Sequence, residues 1–165
     1  MKRHPFFLFF VLMGSFTMSG CVQLMLPADL AALPVDPPDR RLAYGGDSLQ
    51  YGELRLPAGA GPHPVVVILH GGCWLNVYDL HLMDPMATAL TRAGYATWNL
   101  EYRRVGDAGG GWPGTFHDVA AGLNYLRELA PAFALDLSRV VVTGHSAGGH
   151  LALWLAGQGR LPPAS

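Results

Sequence analysis

Residues 140–149 read Val140-Val141-Val142-Thr143-Gly144-His145-Ser146-Ala147-Gly148-Gly149, a β-branched run ending in a glycine-flanked serine. Three valines and a threonine in succession predict a strand buried on both faces. The apolar stretch from Ala147 to Ala156 predicts a helix. Only Gly144, His145 and Ser146 remain to make the turn. A serine on so tight a bend has crowded neighbours, so the residues two before and two after it must be tiny. Gly144 and Gly148 meet that need. Such a bend lifts the Ser146 hydroxyl out of the sheet. It also puts the Ala147 backbone N–H at a helix N-terminus, aimed where a carbonyl oxygen would gain charge. Any glycine-rich turn can match G-x-S-x-G. The strand before it and the helix after it are what give this match weight.

Outward from that point, the same alternation repeats. Val65-Val66-Val67-Ile68-Leu69 is a second strand of the doubly buried kind, followed by His70-Gly71-Gly72-Cys73-Trp74. Met83, Met86, Ala87 and Leu90 carry helical spacing across Met83 to Ala93, stopped by Gly94. Tyr95 to Tyr102 reads as a strand. His117 to Ala130 reads as one helix, with Val119, Leu123, Leu126 and Leu129 on one side, ending before Pro131. Upstream, Leu49 to Leu56 has the spacing of an exposed strand with one irregularity, and Pro57 to Pro64 is a turn. Strand–helix–strand alternation with short connections predicts the α/β class, a mostly parallel sheet flanked by helices.

Two glycines after a strand let backbone amides approach a substrate oxygen with no side chain between. Alone, Gly71 and Gly72 could merely start a loop. The order strand, His-Gly-Gly, strand, serine turn is more specific, and here the sequence resembles the α/β-hydrolase superfamily. It is most similar to the esterase-like branch with an HGG oxyanion loop: feruloyl-esterase-like, acetylesterase-like and arylformamidase-like enzymes. Glu101-Tyr102-Arg103-Arg104 and the stretch from Gly110 to Val119, with Pro113 and Asp118, extend the likeness over residues 41–160. The resemblance implies a serine hydrolase acting on carboxylic ester, or related acyl or amide, bonds of small molecules, without cofactor or metal. It makes Ser146 the nucleophile and gives the oxyanion hole to backbone groups of Gly71, Gly72, Cys73 and Ala147. Cys73 stands where many relatives carry a third glycine, a swap that a backbone donor tolerates.

The remaining histidines and acids have plainer readings. His145 and His150 flank Ser146, but the turn directs the serine away from its own helix, so neither is expected to be its base. His70 should brace the loop that it starts. Asp118 is expected near a helix start, where the positive dipole end favours it. Asp79, His81 and Asp84 are too loosely spaced for a metal site. Nothing positive flanks Cys73 to make it a reactive thiol. Trp74 and Trp112 read as packing residues.

The N-terminus carries a different signal. Lys2 and Arg3 precede a twelve-residue apolar run from Phe6 to Thr17. That is short of the roughly 20 residues a membrane span requires, but it suits a secretory signal peptide. Met18-Ser19-Gly20-Cys21 resembles the lipobox of bacterial lipoproteins, which implies lipidation at Cys21 and an envelope membrane anchor. The alternative is an ordinary signal peptide in which Cys21 is incidental. The expected organisation is a signal peptide over 1–20, a Pro-rich tether over 21–40, and an N-terminal portion of a hydrolase domain over 41–165. In 165 residues, 11 basic side chains face 12 acidic ones, for a formal charge of −1. That gives no electrostatic basis for nucleic-acid binding.

In α/β-hydrolases the triad runs Ser, then Asp or Glu, then His. After Ser146 the sequence holds no Asp or Glu, and His150 is its single histidine. The triad acid and base are therefore expected to be absent, with the fold truncated after the nucleophile helix and this chain inactive. Two functions follow. One is an envelope-anchored serine esterase; the other is a non-catalytic lipoprotein that uses the same fold for binding.

Overall fold

The computed structural model describes residues 32–158. The expected signal peptide, Cys21 and the first part of the Pro-rich segment lie outside the described residues. Within them, the chain forms one sheet of five strands: β1 (Arg40–Ala43), β2 (Tyr51–Arg55), β3 (His63–Leu69), β4 (Ala96–Leu100) and β5 (Leu135–Gly144). Four α-helices join or follow the strands: α1 (Asp84–Arg92), α2 (Gly114–Asn124), α3 (Leu126–Phe133) and α4 (Ala147–Gly157). A short 3-10 turn, Leu80–Met83, precedes α1.

The strand order is β1-β2-β4-β3-β5. The β1–β2 and β2–β4 pairs are antiparallel, while β3 pairs in parallel with β4 on one side and β5 on the other. From β3 the chain crosses through α1 to β4, then passes through α2 and α3 back over β3 to β5. The direction of winding thus reverses at β3. In open α/β sheets, such a reversal opens a crevice at the carboxyl ends of the strands.

The alternation along β3 shows why its valine run is continuous. Val65, Val67 and Leu69 pack into a core with Val119, Leu126, Leu129 and Leu151 from α2, α3 and α4. Val66 and Ile68 pack on the other face with Met83 and Ala87. Successive side chains leave a strand on opposite faces, so a helix layer on each side requires apolar residues at every position. Trp98 of β4, fully buried, donates its indole N–H to Gly122 O at 2.9 Å and fixes α2 against the sheet.

Several expectations are corrected. The predicted exposed strand is β2, which is buried, with Glu53, Leu54 and Arg55 at 2% exposure or less. Its polar side chains are buried because they satisfy one another. Arg55 reaches Asp84 at 3.0 Å and Glu53 at 3.5 Å, and Glu53 also accepts from Arg41 at 2.7 Å. The single helix predicted over His117–Ala130 is two helices parted at Tyr125, the first beginning at Gly114. Pro131 lies inside the second, which ends at Ala134 in the left-handed conformation. The valine strand β5 lies at one edge among the described residues, and Val141 is 59% exposed rather than buried. The end of the segment read as a tether is fastened down. Asp36 pairs with Arg92 at 2.7 Å, and the Asp39 carboxylate accepts from the Leu56 N–H at 2.7 Å.

Candidate functional site

The two glycine-bearing segments meet at the carboxyl ends of β3 and β5, whose last residues, Leu69 and Gly144, are register partners. Ser146 has φ 53° and ψ −118°, a backbone that L-residues rarely adopt. It caps α4, so the Ala147 N–H is a first-turn amide without an intrahelical acceptor. The Gly148 N–H donates to His145 O at 2.9 Å and closes the bend. A methyl built on Gly148 would lie 2.1 Å from Leu69 O, and one on Gly144 would lie 2.3 Å from the Gly148 carbonyl carbon. The sequence argument for small residues on either side of the serine is thus met by backbone contacts.

The loop after β3 closes over that bend. A methyl on Gly71 would stand 2.8 Å from His145 O and 3.2 Å from the Ser146 Cβ, so Gly71 lies directly against the candidate nucleophile. Gly72 has φ 111° with Tyr78 packed behind it, and Cys73 and Trp74 follow at φ 53° and 59°. Three successive residues on the left-handed side curl the loop back. The Leu75 N–H donates to Gly72 O at 2.9 Å, and Leu75 bridges to Val105.

A buried polar cluster supports the loop from beneath. His70, with no exposure, places Nδ1 2.8 Å from Gly71 O and Nε2 3.1 Å from Glu101 Oε1. The Tyr102 ring stacks on the His70 imidazole at 4.2 Å, and its hydroxyl donates to His70 O at 2.6 Å. Burial pushes the Tyr102 phenol above its ordinary range, so it stays a donor. Glu101 also accepts from the Tyr102 and Leu80 N–H groups and pairs with Arg104 at 3.2 Å. Arg104 in turn donates to Tyr78 O and pairs with Asp107 at 3.3 Å. His70 therefore braces the loop, as its position suggested. The role of Glu101 is not legible in the sequence, because a carboxylate at a strand end reveals its partners only in three dimensions.

Asp118 is corrected. It lies in the second turn of α2, not at its start, and it accepts from Arg103 Nη2 at 2.6 Å, Arg103 Nε at 2.8 Å and Gln50 at 2.7 Å. Burial alone would raise its carboxyl, but the hydrogen bonds from Arg103 and Gln50 outweigh it and hold the group below the usual carboxylate range.

His150, on α4 one turn past Ser146, packs edge-on against Trp74 at 5.6 Å and Phe116 at 5.8 Å, and Trp112 meets Phe116 at 4.8 Å. Trp112 is 74% exposed, so it is a surface aromatic beside the site and not the packing residue expected. Glu53 of β2, and not Asp79, joins His81 and Asp84, with donor atoms within 4.8 Å of one another. Arg41 and Arg55 already occupy their carboxylates, and Asp84 holds His81 at 2.7 Å and raises its imidazole. This grouping is an ion-pair network that ties the 3-10 turn to β2.

A family model described as BD-FAE matches residues 53–161. Esterase LipC of Mycobacterium tuberculosis is 29% identical over 114 residues, which is 68% of this chain and 28% of that protein. Carboxylesterase NlhH of the same species is 36% identical over 95 residues, 56% of this chain and 28% of the relative. Among solved structures, a bacterial heroin esterase superposes with TM-score 0.68 at 33% identity, covering 81% of this chain and 43% of that one. Inhibited Esterase B from Lactobacillus rhamnosis superposes with TM-score 0.69 at 31% identity, covering 78% and 43%. The chain thus spans less than half the length of these relatives.

Proposed function

The chain belongs to the BD-FAE family of esterase-like α/β hydrolases, and from that premise we propose that it carries the nucleophile and oxyanion hole of a serine esterase. The observation that carries this reading is Gly71 against Ser146, with Ser146 held at φ 53° on its strand-to-helix turn. Ser146 Oγ attacks the carbonyl carbon of a small-molecule ester while a base takes the hydroxyl proton. The carbonyl oxygen becomes an oxyanion that accepts from the Ala147 N–H and from amides of the Gly71–Cys73 loop. The oxyanion collapses, the alcohol leaves with a proton, and water hydrolyses the acyl-enzyme to release the acid.

A serine hydroxyl needs an adjacent base to react near neutral pH. We keep His145 and His150 outside that role: a strand-to-helix turn of this kind lifts its serine away from its own helix, and His150 is packed edge-on against Trp74 and Phe116. We assign the base and its acid partner to polypeptide other than these 165 residues. On this reading the chain alone turns over esters poorly. In the extended protein that contains this chain, Ser146→Ala should lower hydrolysis of short p-nitrophenyl esters by several orders of magnitude, because a triad acts as a unit. An unchanged rate would remove Ser146 from the mechanism.

A further inference from the structure

We propose that His70 is a buried imidazolium, charged on both ring nitrogens by the acceptors around it, and that it acts as a positioning residue behind the oxyanion loop. The inference rests on the site proposed above for its catalytic consequence, though not for the charge state itself.

Nδ1 lies 2.8 Å from Gly71 O, a carbonyl with no hydrogen to give, so Nδ1 must donate. A neutral imidazole would then leave Nε2 as an acceptor. Nε2, however, faces Glu101 Oε1 at 3.1 Å. Glu101 meets four donors: the His70 ring, the Tyr102 N–H at 2.9 Å, the Leu80 N–H at 3.2 Å and Arg104 Nη1 at 3.2 Å. Three of these, the His70 ring, the Tyr102 N–H and Arg104, meet Oε1, and the Leu80 N–H meets Oε2. A hydrogen on Oε1 would face the Arg104 guanidinium and the Tyr102 N–H, so the oxygen that meets Nε2 is an acceptor. Two acceptors therefore bracket the ring, and each nitrogen carries a hydrogen.

Charge balance supports the same state. His70 is fully buried and Glu101 is 1% exposed, so an isolated cation there would be costly. Four groups face one another in this cluster: His70 and Arg104 as cations, Glu101 and Asp107 as anions. Arg104 bridges both acids, at 3.2 Å to Glu101 and 3.3 Å to Asp107. With His70 charged, the cluster is neutral. Of the neighbouring phenols, Tyr102 stacks on the imidazole face at 4.2 Å and Tyr44 donates to Glu101 O at 2.7 Å; burial raises Tyr102, Tyr44 and Tyr51 alike, so all three stay protonated.

The consequence lies in the loop. His70 holds the Gly71 carbonyl to itself, so that oxygen is kept from competing for the amides that follow. A fixed positive charge then stands one residue behind those amides, where charge develops in the transition state and not in the bound ester. Glu101→Gln keeps the shape but removes the anion, and its amide can donate to Nε2, so the ring can become neutral.

The test is a long-range proton–nitrogen NMR spectrum of the histidine rings in the 165-residue chain at pH 7, paired with kinetics of the extended protein. Both His70 nitrogens should show the protonated signature in the wild type, and one should turn to the bare, pyridine-like signature in Glu101→Gln. A bare His70 nitrogen in the wild-type spectrum would overturn the proposal, even if the variant fails to fold. In the extended protein, Glu101→Gln should lower kcat by about tenfold with KM little changed, less than the loss of a direct oxyanion donor. An unchanged kcat would overturn the positioning role. The spectrum needs no turnover, so it stands apart from the Ser146→Ala result that tests the esterase reading.

Discussion

Ser146, at φ 53°, and Cys73, at the same φ, hold conformations that each cost an L-residue about 1–3 kcal/mol. At Ser146 that cost accompanies a bend whose contacts leave no alternative, with backbone packed within 2.3 Å of where a methyl on Gly144 would stand. At Cys73 the side chain is only half-buried, and the role proposed for the loop needs from it a backbone N–H. Cys73→Gly would relieve about 1–2 kcal/mol of left-handed strain. It would also lose about 0.5–1 kcal/mol through the freer unfolded chain. The two nearly cancel. Thermal unfolding should show Cys73→Gly within about 1 kcal/mol of the wild type, and a clearly larger loss would mean that the thiol packs the loop. The small residues around the serine were legible in the sequence because their requirement is local. The tasks of Glu101 and Arg104 were not, since their partners lie 21 to 31 positions away, at Leu80, Tyr78 and His70.

At the scale of the elements, β3 was legible because two faces demand apolar residues at every position. β2 was misread because burial there is polar: Glu53 and Arg55 look like solvent-facing residues until Asp84 and Arg41 are placed beside them. The helix break at Tyr125 was hidden for another reason. Val119, Leu123, Leu126 and Leu129 keep helical spacing across both α2 and α3, so the pattern gives no sign of it. The position of α2 depends on Asp118, which joins it to Arg103 and Gln50. Asp118→Asn should destabilise the protein by about 2 kcal/mol, the range for hydrogen bonds to a charged group. The sign of the pH dependence follows from the lowered carboxyl. Its contribution is fully present above the unfolded Asp value of about 3.9 and is lost as pH falls through the lower folded value. Denaturant melts between pH 3 and 7 should therefore show wild type and Asp118→Asn converging toward acid. A gap that persists at the acid end would assign the loss to shape and not to charge.

For the whole molecule, winding reverses at β3, and that reversal brings the His70 loop and the Ser146 turn to one rim of the sheet from segments some seventy residues apart. The groove lined by Pro64, Tyr95 and Arg139 lies at the opposite end of the strands, and its serine, Ser138, donates its hydroxyl to Asp136 at 2.6 Å. On the proposed reading the rim supplies a nucleophile and hydrogen-bond donors for an oxyanion, while the sequence from Ser146 to Ser165 supplies no acid. The central claim is that a preformed nucleophile and oxyanion hole await a base from other polypeptide. An oxyanion hole without a working triad leaves about 10³–10⁴-fold catalysis over water, far below a complete enzyme. The most direct measurement is the rate of labelling by a fluorophosphonate probe, with the modified residue mapped by mass spectrometry. The account predicts rapid labelling at Ser146 in the extended protein, abolished by Ser146→Ala, and slow labelling of the 165-residue chain. Rapid labelling of the 165-residue chain at Ser146 would contradict it, because a base would then stand within these residues.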